Sequence, residues 1–174
     1  QVDLMTADAT AERLCQEIHD VLGDRDAPDL EDLKKMRFLQ NVLKETLRLR
    51  PPFPAYFRQA INDDKLGPWD IRGGDWIIFS IWNVHTSEKD WGPDAEQFNP
   101  DRFLPDAPFK YNPDAYLPFG FGPWVCIARR MSVHEMGVVV ATVLKRFHFT
   151  IAPDQDPFPF LELTWIVKDG LRLI

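Results

Sequence analysis

The distribution of proline restricts the fold of this chain more than any other feature. Eleven of its 15 prolines lie between Pro51 and Pro123. Because proline lacks an amide hydrogen and clashes with the preceding helical turn, this stretch excludes long helices. Helical spacing of apolar residues is found instead on either side of it. The sequence therefore predicts helical regions separated by a long, turn-rich segment.

Hydrophobic periodicity predicts three main helices. The first ends at Gly23, and the second ends before Pro51. The third covers about residues 127–147, and its buried side is expected to contain Val138, Val139, Ala141, Val143 and Leu144.

The β structure is expected to be small. A strand is predicted at Trp76–Ile81 after the turn Gly73-Gly74-Asp75, and residues 149–174 alternate enough for one or two more. Residues 91–124 have no regular period, and an ordered loop of that length is usually functional. The expected fold is mainly α with a small antiparallel β-sheet. No linker divides residues 1–174, which predicts a single unit.

Composition excludes several classes of protein. A net charge of −7 argues against nucleic-acid binding. No apolar stretch is long enough to cross a bilayer, and the first ten residues lack the apolar centre of a secretory signal. These features leave both a cytoplasmic and a membrane-anchored parent protein open. The chain has only two cysteines, Cys15 and Cys126, so a disulfide framework is not expected. One or both are expected to be free thiols or metal ligands.

The most informative segment is the loop from Phe119 to Ala128, which contains two glycines and a proline. It delivers Cys126 to the start of the third predicted helix. Free N–H groups and the positive end of the helix dipole stabilise a thiolate there. Such a thiolate suits a soft metal such as haem iron. A buried, inert cysteine at a junction between loop and helix explains the loop equally well.

Two further motifs carry charge. Glu45 and Arg48 are three residues apart on the second predicted helix, so they share a face and can form an ion pair. Such pairs usually lie on the surface, where they contribute little. Arg102 is presented by the turn from Asn99 to Phe103, which is also typical of a simple proline-initiated turn.

In this order and spacing, the three motifs resemble those of the cytochrome P450 family, the haem-thiolate monooxygenases. Glu45–Arg48 matches the ExxR helix, Pro100–Phe103 the PxRF element, and Phe119–Cys126 the cysteine-ligand loop. The resemblance covers essentially the whole chain. It implies the C-terminal part of the P450 fold: ExxR helix, sheet, meander, cysteine-ligand loop, following helix and β-hairpin. The N-terminal part of the fold, with its oxygen-activating helix, is expected to be absent.

The resemblance also implies roles for individual residues. Cys126 would be the catalytic residue and the iron ligand of haem b, and Glu45, Arg48 and Arg102 would form a buried structural triad. The other implied cofactor-binding residues are Phe119, Gly122, Arg58, Trp124 and Ala128. The residues implied to line the substrate pocket are Phe53, Ala55, Tyr56, Leu163 and Trp165, which together form a largely apolar surface.

Two positions depart from the family pattern. Trp124 stands where the family usually has an arginine that pairs with a haem propionate, and an indole N–H cannot neutralise a carboxylate. Altered haem affinity or orientation is therefore expected. Ala128 replaces a usual glycine, which is a mild change. His85 could contact a propionate or the backbone, although a histidine satisfied within the core is the favoured interpretation.

The implied function is oxidation of an apolar small molecule with O2 and electrons from a reductase. A basic cluster of Arg129, Arg130, Lys145 and Arg146 could dock that reductase, although a solvated helix face explains the cluster almost as well. A complementary N-terminal chain is a further possible partner. The competing hypothesis is a truncated, catalytically inactive haem-binding or scaffold protein that acts with a partner chain.

Overall fold

The structure is a computed structural model that describes residues 8–150, 152, 155, 159–161, 164–167 and 170–174. Helices dominate the described residues. Their bounds are α1 Asp8–Leu22, α2 Leu30–Lys35, α3 Arg37–Leu49, α4 Ile81–His85, α5 Glu88–Trp91 and α6 Arg129–Arg146.

The described strands form three separate antiparallel pairs rather than one sheet. The strands are β1 Ala55–Gln59, β2 Asp64–Leu66, β3 Trp69–Ile71, β4 Trp76–Ser80, β5 Pro159–Leu161 and β6 Trp165–Val167. Strand β1 pairs with β4, β2 with β3, and β5 with β6. Gly74, with φ of 95°, makes the predicted turn before β4 in a conformation that favours glycine. The mainly helical fold with small antiparallel sheets is confirmed.

The main core lies where α1, α2, α3 and α6 meet. It is built largely from leucine, isoleucine and methionine side chains that recur at helical spacing on α1 and α3. Gly137 allows α6 to pack closely against α2, because a Cβ at this position would lie only 3.1 Å from Leu33 Cδ2. These contacts hold α3 and α6, the two helices that border the motifs described above, in one packed unit.

The three predicted helices are present, with one correction to the third. Helix α6 begins at Arg129, close to the predicted start, and follows a 3-10 turn at Gly122–Trp124. Val139 is 55% exposed and does not belong to the buried side, whereas Ala141 is fully buried. Helix α2 was not predicted, since six residues are too short for a periodic signal. Its capping box, formed by Asp29 and Asp32, was the available local signal.

The long segment between residues 91 and 124 is ordered, as predicted. It contains 3-10 turns at Pro100–Phe103, Pro113–Ala115 and Gly122–Trp124. A second core of aromatic residues holds it together, in which Trp91 is fully buried and stacks on Tyr111 with 4.9 Å between ring centroids. The loop is therefore a packed structure around its own aromatic centre.

Among the described residues, no helix combines the length and apolar character that crossing a membrane requires.

Candidate functional site

Glu45 is the centre of a buried network of ion pairs that joins α3 to the loop after α5. Its two carboxylate oxygens each accept a hydrogen bond of 2.8 Å from Arg48, and Arg102 Nε donates another at 2.9 Å. The backbone N–H of Asn99 donates a fourth at 2.8 Å. Glu45, Arg48 and Arg102 are all buried. The structure thus brings the three predicted triad residues together in the interior rather than on the surface.

The same arginines hold the backbone of that loop. Arg48 Nη1 donates to the carbonyl oxygens of His85 and Ala95, each at 2.5 Å. Arg102 Nη1 donates to Trp91 O at 2.9 Å. These carbonyl oxygens come from α4, from α5 and from the loop after α5. The two guanidinium groups therefore hold the backbone of all three segments in place, in addition to pairing with Glu45.

Asp94 completes the charge balance and was not predicted. Its carboxylate accepts a hydrogen bond of 3.1 Å from Arg102 Nη2, so two carboxylates face two buried guanidinium groups. Partial burial raises the pKa of Asp94, but hydrogen bonds from Asn99 and Arg102 outweigh it and hold the pKa below its usual value. The carboxylate therefore stays ionised at neutral pH and compensates the second arginine.

His85 connects α3 to the loop that leads to Cys126. Its Nδ1 lies 2.8 Å from Arg48 O, and its Nε2 lies 2.8 Å from the backbone N–H of Leu117. A carbonyl oxygen only accepts and an amide only donates, so the ring is neutral with its proton on Nδ1. Burial lowers the pKa of His85 to about 4. The histidine is satisfied within the core, which is the interpretation that the sequence favoured.

This arrangement predicts a pH dependence of stability. The folded state keeps His85 neutral down to about pH 4, while an unfolded histidine takes up a proton near pH 6.5. The stability that depends on neutral His85 is therefore fully present above about pH 6.5. As the pH falls towards 4, the free energy of unfolding decreases by on the order of 3 kcal/mol. Denaturant unfolding across this range is expected to show a flatter profile for His85→Gln than for the parent. His134→Gln, at an exposed histidine on α6, is the control and should leave the profile unchanged.

Helix α1 braces the other end of α3. Met36, the N-cap of α3, makes no side-chain capping bond. Instead the carboxylate oxygens of Glu17 accept hydrogen bonds of 2.8 Å from the backbone N–H groups of Phe38 and Leu39. A carboxylate at a helix N-terminus is favourable for both hydrogen bonding and the helix dipole. Sequence reasoning missed Glu17 because this cap comes from a different helix, 21 residues upstream of the first amide that it accepts from.

The loop that carries Cys126 is closed by its own backbone. Cys126 N donates to Phe119 O at 2.9 Å, and Val125 N donates to Gly122 O at 3.2 Å. Gly122 has φ of 63°, in the left-handed region that favours glycine. Cys126 is exposed, three residues before α6 begins. Within the described part of the chain, the thiol is therefore accessible rather than buried.

Large apolar side chains on the same loop and the start of α6 are also exposed. Ile127 is completely exposed and Trp124 is 77% exposed, and Phe121 and Met131 are exposed as well. Exposed apolar residues grouped in this way indicate a surface that a ligand or further protein covers. Among the described residues, no three side chains cluster as metal ligands, so Cys126 is not part of a multi-ligand metal cluster there. One soft thiolate on an apolar face fits the iron of a haem.

Two further predicted cofactor residues are Ala128, which is close to Cys126 in the chain, and Arg58, which is on β1. Ala128 is the residue before α6 and has φ of −85°, which any L-amino acid adopts, so its methyl group causes no backbone strain. Arg58 is exposed on β1, and its Nη1 donates to Phe57 O at 2.8 Å. A Cβ on Gly120 would lie 3.5 Å from the Tyr56 hydroxyl, which places β1 against the cysteine loop.

The residues predicted to line the substrate pocket are partly brought together. Trp165 N, on β6, donates to Pro52 O at 3.2 Å, so the tail lies against the segment that contains Phe53, Ala55 and Tyr56. The indole N–H of Trp165 is buried without a hydrogen-bond partner within the described ranges. Leu163 lies outside the described residues.

The predicted basic cluster is divided by the length of α6. Arg129 and Arg130 are exposed at its start, near Cys126 in the chain. Lys145 and Arg146 lie at its other end, roughly 24 Å away at 1.5 Å per residue. There Arg146 pairs with Asp26 at 3.0 Å, and Lys145 Nζ donates to Gly23 O at 2.6 Å. The expectation that the four residues form one basic cluster is therefore wrong.

An exposed thiol on an apolar face is compatible with a cysteine-ligated haem. Comparison with known proteins names the family. The model of the cytochrome P450 family matches residues 2–171, and the chain belongs to that family. Its members bind haem iron through a cysteine thiolate.

Individual relatives agree with this assignment. The chain is 39% identical over 98% of its length to Protein LUTEIN DEFICIENT 5, chloroplastic, of Arabidopsis thaliana, covering 29% of that protein. It is 36% identical over 94% of its length to the cytokinin hydroxylase of the same plant, covering 31%. A crystal structure of a cytochrome P450 superposes with a TM-score of 0.85 at 34% identity, over 98% of this chain and 40% of the other. The chain thus spans about three tenths of the length of these curated relatives.

Proposed function

We propose that this chain is the C-terminal, haem-ligating portion of a monooxygenase that oxidises an apolar small molecule with O2 and electrons from a reductase. The observation that carries the proposal is the exposed Cys126 thiol on an apolar face. The remainder of the fold would come from the rest of a longer protein or from a complementary N-terminal chain.

In this proposal Cys126 supplies the thiolate that ligates the haem iron, and the bound haem provides the oxygen-activating chemistry. The loop hydrogen bond from Cys126 N to Phe119 O holds the sulfur at a fixed place on the chain. Exposed apolar side chains, among them Trp124 and Ile127, cover the cofactor and keep water from the thiolate. Arg58 is the residue proposed to bind a propionate, because a guanidinium matches a carboxylate in bidentate geometry.

The proposed substrate surface is formed by the segment after α3 and by the tail. Phe53 is exposed, and Ala55 and Tyr56 are half-buried, beside the cysteine loop. These side chains favour an apolar substrate. One relative is named a cytokinin hydroxylase, which supports oxygen insertion as the reaction class. Arg129 and Arg130, exposed near Cys126, are proposed to attract an acidic face of the reductase.

The test is an absorption spectrum of the full-length protein, reduced and exposed to carbon monoxide, followed by turnover with a reductase. A long-wavelength Soret band indicates a thiolate ligand, and oxygenated product from an apolar substrate indicates monooxygenation. A stable fold that takes up no haem would contradict the proposal and favour the scaffold hypothesis. Haem binding without turnover would favour an inactive haem-binding protein.

Replacing Trp124 with arginine is expected to slow haem loss. The substitution restores a cation where the indole offers one N–H, and a charge-assisted hydrogen bond to a propionate contributes up to about 1.5–3 kcal/mol. Because position 124 is 77% exposed, we expect only about a fivefold to tenfold slower transfer of haem to a scavenging globin. Trp124→Gln, which adds no charge, is the control. Equal rates for Trp124→Arg and the parent would refute the expectation.

A further inference from the structure

A cavity of about 310 Å³ lies between α2, α3 and the first turns of α6. This volume is at the lower end of the range for small-molecule sites, roughly 300–1,000 Å³. Neither Cys126 nor any proposed substrate residue lines it. Its walls are mainly apolar and include Leu30, Leu33, Leu43, Leu47 and Val133. The cavity therefore lies outside the proposed substrate surface, and it borders the proposed haem surface at Phe119 alone.

The charged side chains that line the cavity are all basic. No aspartate or glutamate lines it, while Lys34 and Lys44 do. Lys34 already has a partner, because its Nζ lies 2.6 Å from Glu31 Oε1. Over the described part of the chain, Lys44 has no carboxylate within ion-pair distance, and its Nζ lies 5.4 Å from the centre of the Phe103 ring. Burial lowers the pKa of Lys44, which is the effect of removing an ammonium from water without giving it an anion.

Two of the other three polar side chains of the cavity are engaged in the fold, and the third is His134, which makes no hydrogen bond to the described residues. Gln40 Nε2 donates to Leu33 O at 2.7 Å, and the Tyr116 hydroxyl donates to Lys44 O at 3.2 Å. A ligand would consequently meet leucine side chains, the His134 imidazole and one half-buried ammonium group without an anion. A dianion such as a phosphate would need further donors, and an uncharged ligand would leave Lys44 unsatisfied.

We propose that this cavity binds a single-chain amphipathic monocarboxylate, with its alkyl chain among the leucines and its carboxylate on Lys44 Nζ. Charge complementarity selects the head group, and the apolar walls select the chain. Phe119 also lines the cavity and opens the cysteine loop. A bound ligand therefore contacts the loop that holds Cys126, which makes the cavity an effector site if the proposed haem function holds.

The test is calorimetric titration of the full-length protein with decanoate and, separately, with decan-1-ol, which has the same chain without charge. Decanoate is expected to bind about tenfold more tightly than decan-1-ol. Lys44→Met should remove most of this preference and leave decan-1-ol binding unchanged. Lys34→Met is the matched control and should keep the preference, because Lys34 is paired with Glu31.

Leu30→Trp tests the location. Leu30 is 56% exposed at the cavity, and an indole there should obstruct entry and weaken both probes about tenfold or more. Unchanged decanoate binding in both Lys44→Met and Leu30→Trp would overturn the proposal by placing the ligand elsewhere. Loss of the preference in Lys34→Met alone would overturn the role of Lys44. If Lys44→Met does not fold, the parent protein is titrated at low and high salt instead. Added salt should then weaken the binding of decanoate but not that of decan-1-ol. None of these measurements requires haem or turnover.

Discussion

Glu45→Gln is expected to destabilise the protein by about 3–5 kcal/mol, enough to leave much of it unfolded. The substitution keeps the size of the side chain but removes the charge that faces Arg48 and Arg102, both buried. It also places an amide N–H₂ where guanidinium groups donate at 2.8–2.9 Å. Two buried cations would then share Asp94, whose carboxylate accepts from Arg102 Nη1 at 3.2 Å and Nη2 at 3.1 Å and accepts no hydrogen bond from Arg48. Chemical denaturation of the full-length protein measures the loss.

The matched control is Glu31→Gln. Glu31 also pairs with a basic residue three positions away, Lys34, at 2.6 Å, but both side chains are 70% exposed. The same chemical change should therefore cost less than about 1 kcal/mol. A loss for Glu45→Gln as small as that of Glu31→Gln would show that the network contributes little to the fold. The comparison separates the effect of burial from the effect of removing a carboxylate.

The difference between these two pairs also shows what a sequence can predict. Glu45–Arg48 and Glu31–Lys34 have the same i, i+3 spacing, so spacing alone cannot distinguish a buried pair from an exposed one. The resemblance to the P450 family made that distinction, because it added Arg102 from a turn 54 residues after Arg48. What the family pattern did not indicate was the second carboxylate, Asp94, which the charge of two buried arginines requires.

Contacts between distant elements were the least predictable part of the fold. Glu17 caps α3 from another helix, and His85 joins Arg48 O to Leu117 N across 37 and 32 positions in the chain. Neither has a local pattern, because each depends on two elements that meet only after folding. Periodicity did place α1, α3 and α6, where side-chain spacing and burial coincide. It failed for Val139, since an apolar residue can also lie on an exposed helix face.

Cys126→Ser is expected to abolish the long-wavelength Soret band of the reduced carbon monoxide complex in the full-length protein. A serine hydroxyl stays protonated at neutral pH and is a poor iron ligand, whereas a thiolate is a good one. The exchange of sulfur for oxygen at an exposed position removes little packing, so the fold should survive. The expected result is therefore loss of thiolate ligation, with a free energy of unfolding of the haem-free protein within about 0.5 kcal/mol of the haem-free parent.

Cys15→Ser provides the control, since Cys15 is the other cysteine of the chain, free and half-buried on α1. It should retain the long-wavelength band, although removing a half-buried thiol is expected to cost some stability. If the band persists in Cys126→Ser, or disappears only in Cys15→Ser, Cys126 is not the iron ligand. Because ligation and stability are measured separately, the pair of variants distinguishes a lost ligand from a lost fold.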